Sequence, residues 1–287
     1  MNKITTLLII GVLLTSCVSK QNPITEIKFN KEAENESLCD LTFPNPKTNS
    51  ELIELNKKYK LDELTSNAKS DIEKAMILLD WTNSRWSHNG TNQPKKNNAL
   101  NILKEAKEGK NFRCVEYGTV LSATLNSNGI PARILGLKTK EIEKAKSGAG
   151  HVVTEAYISD LKKWIFLDPQ INYIPFLNGI PLNAIEYQNA IIHHRTEIKL
   201  RNLNGKFNQW KALSKINWVS KYLFYFDTRF DTSEKRMKCN GKSKIMLVPI
   251  GEKKPTISQI KHKIENCIYT NNIKDFYKKP KTVGNNQ

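Results

Sequence analysis

Three side chains in this sequence have the types and the order for nucleophilic chemistry on an acyl group: Cys114, His151 and Asp168. A thiol becomes a useful nucleophile where its surroundings favour the thiolate, and a helix N-terminus or a partnering imidazole does this. Cys114 sits where a helical pattern begins. Tyr117, Val120, Leu121, Thr124 and Leu125 recur at helix spacing, and Gly129-Ile130-Pro131 stops the run. Backbone N–H groups are therefore expected to point towards the sulfur, with Arg113 adjacent.

A base must come from elsewhere in the chain, and something must orient it. His151 opens one alternating run, His151 to Ile158, and Asp168 closes a second, Lys163 to Leu167, after a tight connection through Ser159-Asp160-Leu161. In an antiparallel hairpin those two positions lie at the same end, within a residue or two of register. Asp168 can then hold one ring nitrogen of His151 while the other faces Cys114. The polar loop Lys138 to Gly150 gives His151 the reach to approach the helix start.

The remaining elements must hold that constellation together. Leu52, Ile53, Leu55 and Tyr59 mark one helical stripe, and Ile72, Ala75, Met76, Leu79 and Trp86 mark a stronger one. A short helix over 97–108 is closed by Gly109, and Ala132 to Leu137 reads as a strand. After Ile171 the signal weakens to a helix around 182–194, an aromatic stretch over 207–228 and a strand near 245–250. Residues from Lys278 onwards are polar and expected to fray.

Four blocks in sequence carry a family resemblance. Phe112-Arg113-Cys114-Val115-Glu116-Tyr117, Asn128-Gly129-Ile130-Pro131-Ala132-Arg133, Gly150-His151 through Glu155-Ala156-Tyr157, and Trp164-Ile165-Phe166-Leu167-Asp168-Pro169 resemble the core of the transglutaminase-like superfamily. The resemblance covers roughly residues 70–172. It implies an α+β, papain-like fold with the Cys-bearing helix packed on an antiparallel sheet, plus a helical N-terminal part and a C-terminal extension. It implies Cys114 as nucleophile, His151 as general base and acid, and Asp168 as its orienter. It also implies amide or peptide acyl chemistry through a thioester, as a cysteine peptidase or amidase or as a protein-glutamine acyltransferase. In some relatives an upstream Trp or polar side chain helps the Cys backbone N–H hold the oxyanion, and Trp86 is the candidate here. Many members place Gly shortly before the Cys; this chain has Asn111-Phe112-Arg113. No metal or organic cofactor is required: adjacent residues such as His193 and His194 diverge on a helix, and no carboxylate cluster accompanies them.

The N-terminus speaks to compartment. Met1-Asn2-Lys3 precedes an apolar run, Ile4 to Leu14, shorter than the ~20 residues a membrane-spanning helix needs, and so reads as a signal-peptide core. It ends in Leu14-Thr15-Ser16-Cys17, which resembles a bacterial lipobox and implies acylation of Cys17 after cleavage. The expected organisation is a leader over 1–16, a lipid-anchored tether and lead-in over 17–50, a catalytic domain over 51–200 and an extension over 201–287 packed on the core. The expected location is the bacterial cell envelope, membrane-anchored on its periplasmic or surface side. The partners are a peptide or protein amide substrate and the membrane. The net charge of +17 is spread among Asn and Ile without a nucleic-acid-binding motif, so no nucleic-acid partner is expected. A non-catalytic envelope lipoprotein that keeps the fold is the alternative, and the intact triad argues against it. Of five cysteines, Cys39, Cys239 and Cys267 have neither lipid nor chemistry assigned. One disulfide can form among them, with Cys239–Cys267 the first pair to test.

Overall fold

The computed structural model describes residues 27–33, 35–232 and 237–282. The leader and Cys17 lie outside the described residues. Among the described residues no helix is long and apolar enough to cross a membrane.

Seven helices frame the site: α1 (Ser50–Tyr59), α2 (Leu61–Thr65), α3 (Asp71–Asn83), α4 (Ala99–Lys107), α5 (Cys114–Ser127), α6 (Ala184–His193) and α7 (Gln209–Ser220). The central sheet has six strands: β1 (Ala132–Lys138), β2 (Gly150–Ile158), β3 (Lys163–Leu167), β4 (Tyr225–Arg229), β5 (Lys244–Leu247) and β6 (Cys267–Thr270), in the order β6-β5-β4-β1-β2-β3. Every pairing is antiparallel except β5 with β6. A second, four-stranded sheet is built from short strands within 174–206. The fold class is therefore α+β, with the Cys-bearing helix on an antiparallel sheet.

Alternation along the strands divides the core into two layers. Ala132, Ala156, Ile158, Ile165 and Leu167 face α1 to α5, where they meet Leu55, Leu78, Val120 and Leu121. Leu135, Leu137, Val153, Trp164 and Phe166 face the other way, onto Tyr187 of α6 and Ile216 and Val219 of α7. Side-chain caps fix the helix starts: Asn49, Ser70, Asn98, Asn183 and Asn208 each accept from a backbone N–H in the first turn. Gly109 and Gly129 take positive φ directly after α4 and α5, as the helix-stop reading required.

Three sequence expectations are corrected. The stretch 201–287 does more than pack on the core, since β4, β5 and β6 are half of the central sheet. Their four or five residues carry too little periodicity to announce which strand they pair with. The end of the chain is docked through residue 282: Lys278 is buried with its Nζ donating to the carbonyls of Asn35 and Leu38, and Lys281–Thr282 pairs with Thr42–Phe43. The disulfide is Cys39–Cys239, because the lead-in crosses the turn beside Cys239. Cys267 opens β6 on the far side of β5 and stays a buried thiol.

Arg133 is the charged centre of the molecule. It and Glu155, opposite each other on β1 and β2, are both fully buried, with Nη2 and Oε2 2.7 Å apart. The guanidinium also donates to the Phe276 carbonyl and lies over the rings of Trp164, Phe276 and Tyr277. The other oxygen of Glu155 accepts from the Ala184 N–H and the Tyr277 hydroxyl. One ion pair thus ties the hairpin to α6 and to the end of the chain. Removing one partner leaves a buried charge unpaired. Arg133→Met is expected to lower unfolding free energy by about 3–5 kcal/mol in denaturant titration; a loss under ~1 kcal/mol would show that the pair is dispensable.

Candidate active site

α5 approaches β2 closely because Gly118 has no side chain. A Cβ there would lie 2.9 Å from Val152 Cγ1 and 3.4 Å from the Val153 carbonyl oxygen. This contact brings Cys114, the first residue of α5, beside the start of β2, where His151 sits. The Cys114 and Val115 N–H groups belong to the first turn, which has no intrahelical acceptor. The Glu116 carboxylate accepts from the Arg113 N–H and guanidinium, which anchors that turn.

The segment before α4 is laid against the same helix start. The Asn89 N–H donates to the Phe112 carbonyl, the Ser87 N–H to Asn111 Oδ1, and the Tyr117 hydroxyl to the Trp86 carbonyl. These bonds hold Ser87-His88-Asn89 alongside Asn111-Phe112, two residues from the thiol.

The three residues singled out from the sequence converge. His151 Nε2–H donates to Asp168 Oδ2 at 2.9 Å, and the Cys114 sulfur lies close enough to the same ring to act on its charge. His151 is 3% exposed and Asp168 fully buried, whereas Cys114 is partly open. Asp168 Oδ1 accepts from the N–H groups of Gln170 and Ile171, so the carboxylate is fixed at both oxygens. α3 steadies that loop, with Asn83 Nδ2 donating to the carbonyls of Pro169 and Gln170 and Asp80 accepting from Asn172.

Burial works against a proton on His151. The Asp168 charge and hydrogen bond and the Cys114 sulfur outweigh it and raise the imidazole from 6.5 to about 9. At neutral pH the site therefore holds an imidazolium beside the sulfur.

The sequence did not mark three further residues of the site. Trp218 of α7 meets the His151 ring edge-on at a centroid distance of 4.8 Å, and Tyr222, four residues on, lies at 5.8 Å. The aromatic richness of 207–228 was visible, and its four-residue spacing was the available signal. His88 lines the same cleft as Cys114 and His151. Burial first, then the neighbouring His151 charge, pushes His88 below its ordinary value against the pull of Asp168.

Trp86 is placed differently from the triad. Its ring is packed against Phe112 and Tyr117 and is 8% exposed. It lines a neighbouring cavity that shares His88 and Gln170 with the Cys114 cleft, and its buried indole N–H has no partner among the described residues.

Residues 58–169 match the family model of the transglutaminase-like superfamily, so this stretch is a transglutaminase-like core. Comparison with curated proteins gives no match. Among solved structures the chain is similar to a Cytophaga hutchinsonii protein provisionally assigned as a cysteine protease, at 16% identity over 46% of this chain and 48% of that one, with a TM-score of 0.33. It is also similar to the periplasmic domain of TgpA from Pseudomonas aeruginosa bound to ethylmercury, at 17% identity over 41% and 44%, TM-score 0.32. Red sea bream transglutaminase matches at 10% identity over 64% and 44%, TM-score 0.31. The chain spans less than half the length of each.

The raised value of His151 gives a direct test. Because the folded value lies above the ordinary one, the stability the charged ring confers is complete below pH 6.5 and is lost as pH rises through about 9. An NMR titration of the ring is expected to show a midpoint near 9, moving down in Asp168→Asn. A wild-type midpoint at the ordinary value would contradict the coupling.

Proposed function

We propose that this chain, built on a transglutaminase-like core over residues 58–169, is an envelope lipoprotein that uses Cys114 for acyl transfer from amides, as a peptidase or amidase. The observation that carries the reading is Cys114 and His151 lining one cleft, with the imidazole held by Asp168 and both of those residues buried. The Cys114 thiolate adds to the substrate carbonyl and the C=O electron pair moves to oxygen. Collapse of that adduct breaks the C–N bond as the His151 Nδ1–H protonates the departing amine, which leaves a thioester. His151, now neutral, takes a proton from an incoming water, and the thiolate leaves as the acid forms. An amine in place of that water would give transamidation. Hydrolysis is the preferred outcome because water needs no second binding site.

Asp168 holds the imidazole by Nε2 throughout and stabilises its charged form. The developing oxyanion falls to the Cys114 N–H at the helix start. Trp86 is the second candidate donor, supported by its buried indole N–H without a partner, a group costly to leave unsatisfied unless a ligand or transition state uses it. The lipobox-like Leu14-Thr15-Ser16-Cys17 supports anchoring in the bacterial envelope through Cys17.

Alkylation of the mature protein by iodoacetamide across pH tests the nucleophile. Cys114 is expected to react faster near neutral pH than an ordinary thiol, and His151→Ala is expected to abolish the advantage. Reaction at the rate of a simple thiol would sink the reading. Trp86→Phe keeps the ring packing and removes the donor. If Trp86 serves the oxyanion, kcat falls by about 10²-fold with alkylation of Cys114 unchanged; an unaltered kcat would confine Trp86 to packing.

A further inference from the structure

The cleft that contains Cys114 and His151 does not end there. It encloses about 1230 Å³ and runs along α5 over the exposed face of β1, β4 and β5, where Lys138, Asp227 and Lys244 line it. The volume exceeds that of a usual small-molecule pocket and suits several residues of an extended chain.

The three charges are placed by the sheet. Gly136 and Asp227 are register partners on β1 and β4, and a Cβ at position 136 would collide with the Asp227 carboxylate. Glycine therefore lets the carboxylate sink to the floor of the cleft. Lys138, two residues on along the same face, donates to Asp227 Oδ1, and Lys244 of β5 donates to Oδ2 at 2.7 Å. Burial would raise the Asp227 carboxyl, but the two ammonium groups outweigh it and hold it at about 2. Asp227 is permanently charged, and it is one anion against two cations.

That imbalance separates a binding site from a structural ion pair. Neutralising a buried carboxylate takes one lysine, and a second brought to the other oxygen leaves a net positive charge. Each ammonium has three donors, so hydrogen-bonding capacity is left over as well. The Lys138 side chain is 15% exposed and that of Lys244 is 38% exposed, so both reach the cleft rather than the core. Outside this cluster the lining charges balance, Arg113 and Arg229 (the register partner of Lys244) against Glu51 and Asp231. Lys138 is also the register partner of Gly150, the residue before His151. The excess charge of the cluster thus lies one strand from the catalytic imidazole and in the same cleft.

We propose that Lys138 and Lys244, with Asp227 as their anchor, form a subsite for a carboxylate on the substrate, so that Cys114 acts on amides in acidic peptides. The proposal rests on the thiol-site reading above and adds the substrate class. Asp227 is a positioning residue: it sets the two ammonium groups side by side and touches no substrate.

Peptidyl chloromethyl ketones of two to four residues, in matched pairs with Glu or Gln at one successive position, test the subsite by their rate of Cys114 inactivation. At one position the Glu probe is expected to react about tenfold faster than the Gln probe at low salt, the size of effect one charge-assisted contact supplies. High salt should shrink the ratio. Lys244→Gln should bring it close to one, and Lys244→Arg should retain it. Equal rates at every position in the wild-type protein, which needs no variant, would overturn the subsite. So would a ratio that survives Lys244→Gln. Failure of the thiol reading is told apart by iodoacetamide, whose reaction with Cys114 is independent of the lysines. If Cys114 proves unreactive, binding of the paired peptides as amides to Cys114→Ala still decides: tighter binding of the Glu peptide supports the subsite, and equal binding overturns it.

Discussion

The close seating of α5 on β2 is the constraint on which the site depends. A helix packs on a sheet at a distance set by the side chains between them, and at Gly118 there is none on the helix side. Val152 and the Val153 carbonyl fill that space, and Thr154 donates to the Gly118 carbonyl from the next position on the same face. The helix start therefore meets the strand start, and Cys114 meets His151. A helix held farther off by one methyl group would separate a nucleophile from its base, since a proton moves between them only at hydrogen-bond distance. The meeting of Cys114 and His151 is set by backbone proximity first and by side-chain identity second.

Buried charge is used in three ways on one sheet. Arg133 and Glu155 are matched one to one, with every partner internal, and their function is cohesion between the hairpin and the chain's end. His151 and Asp168 are matched one to one as well, but the ring shares its cleft with the partly open Cys114. Asp227 is bound by two lysines, and the surplus charge faces the cleft. Burying an ion is costly in proportion to how completely it leaves water. The gradation from closed pair to open cluster follows the distance from the core to the substrate path.

The convergence of Cys114, His151 and Asp168 was legible because each is fixed by local grammar. Cys114 is a helix start, and His151 and Asp168 are the two ends of one tight hairpin, so short-range patterns place all three. Arg133 pairing with a glutamate was within reach for the same reason, since β1 and β2 are neighbours in sequence. What could not be read was anything depending on long-range register. Cys39 finds Cys239 across 200 residues, and Asp227 finds Gly136 across two strands that neither share a hairpin nor carry a distinctive pattern. Trp218 was visible as an aromatic in a helical stretch, but nothing local says that α7 lies across His151. Trp86 illustrates the converse: its position in the chain suggested the site, and its surroundings are those of a core aromatic with one unsatisfied donor.

The matched segment, 58–169, contains Cys114, His151 and Asp168, and it contains neither Trp218, Asp227 nor Lys244. A division of labour follows from where the strands lie. α5, β2 and β3 belong to the core segment and present Cys114, His151 and Asp168 at their ends. β4 and β5 come from the stretch after residue 200 and extend the same sheet sideways, so their side chains become the floor on which a substrate would rest. Because β4 pairs with β1 at Gly136 and Leu137, the floor and the triad share one rigid element, the strand that also neighbours His151. A change in β4 or β5 can therefore alter which amide is held without moving the atoms that react. The rigidity of β1 is what would turn a charge on a neighbouring strand into selectivity at Cys114.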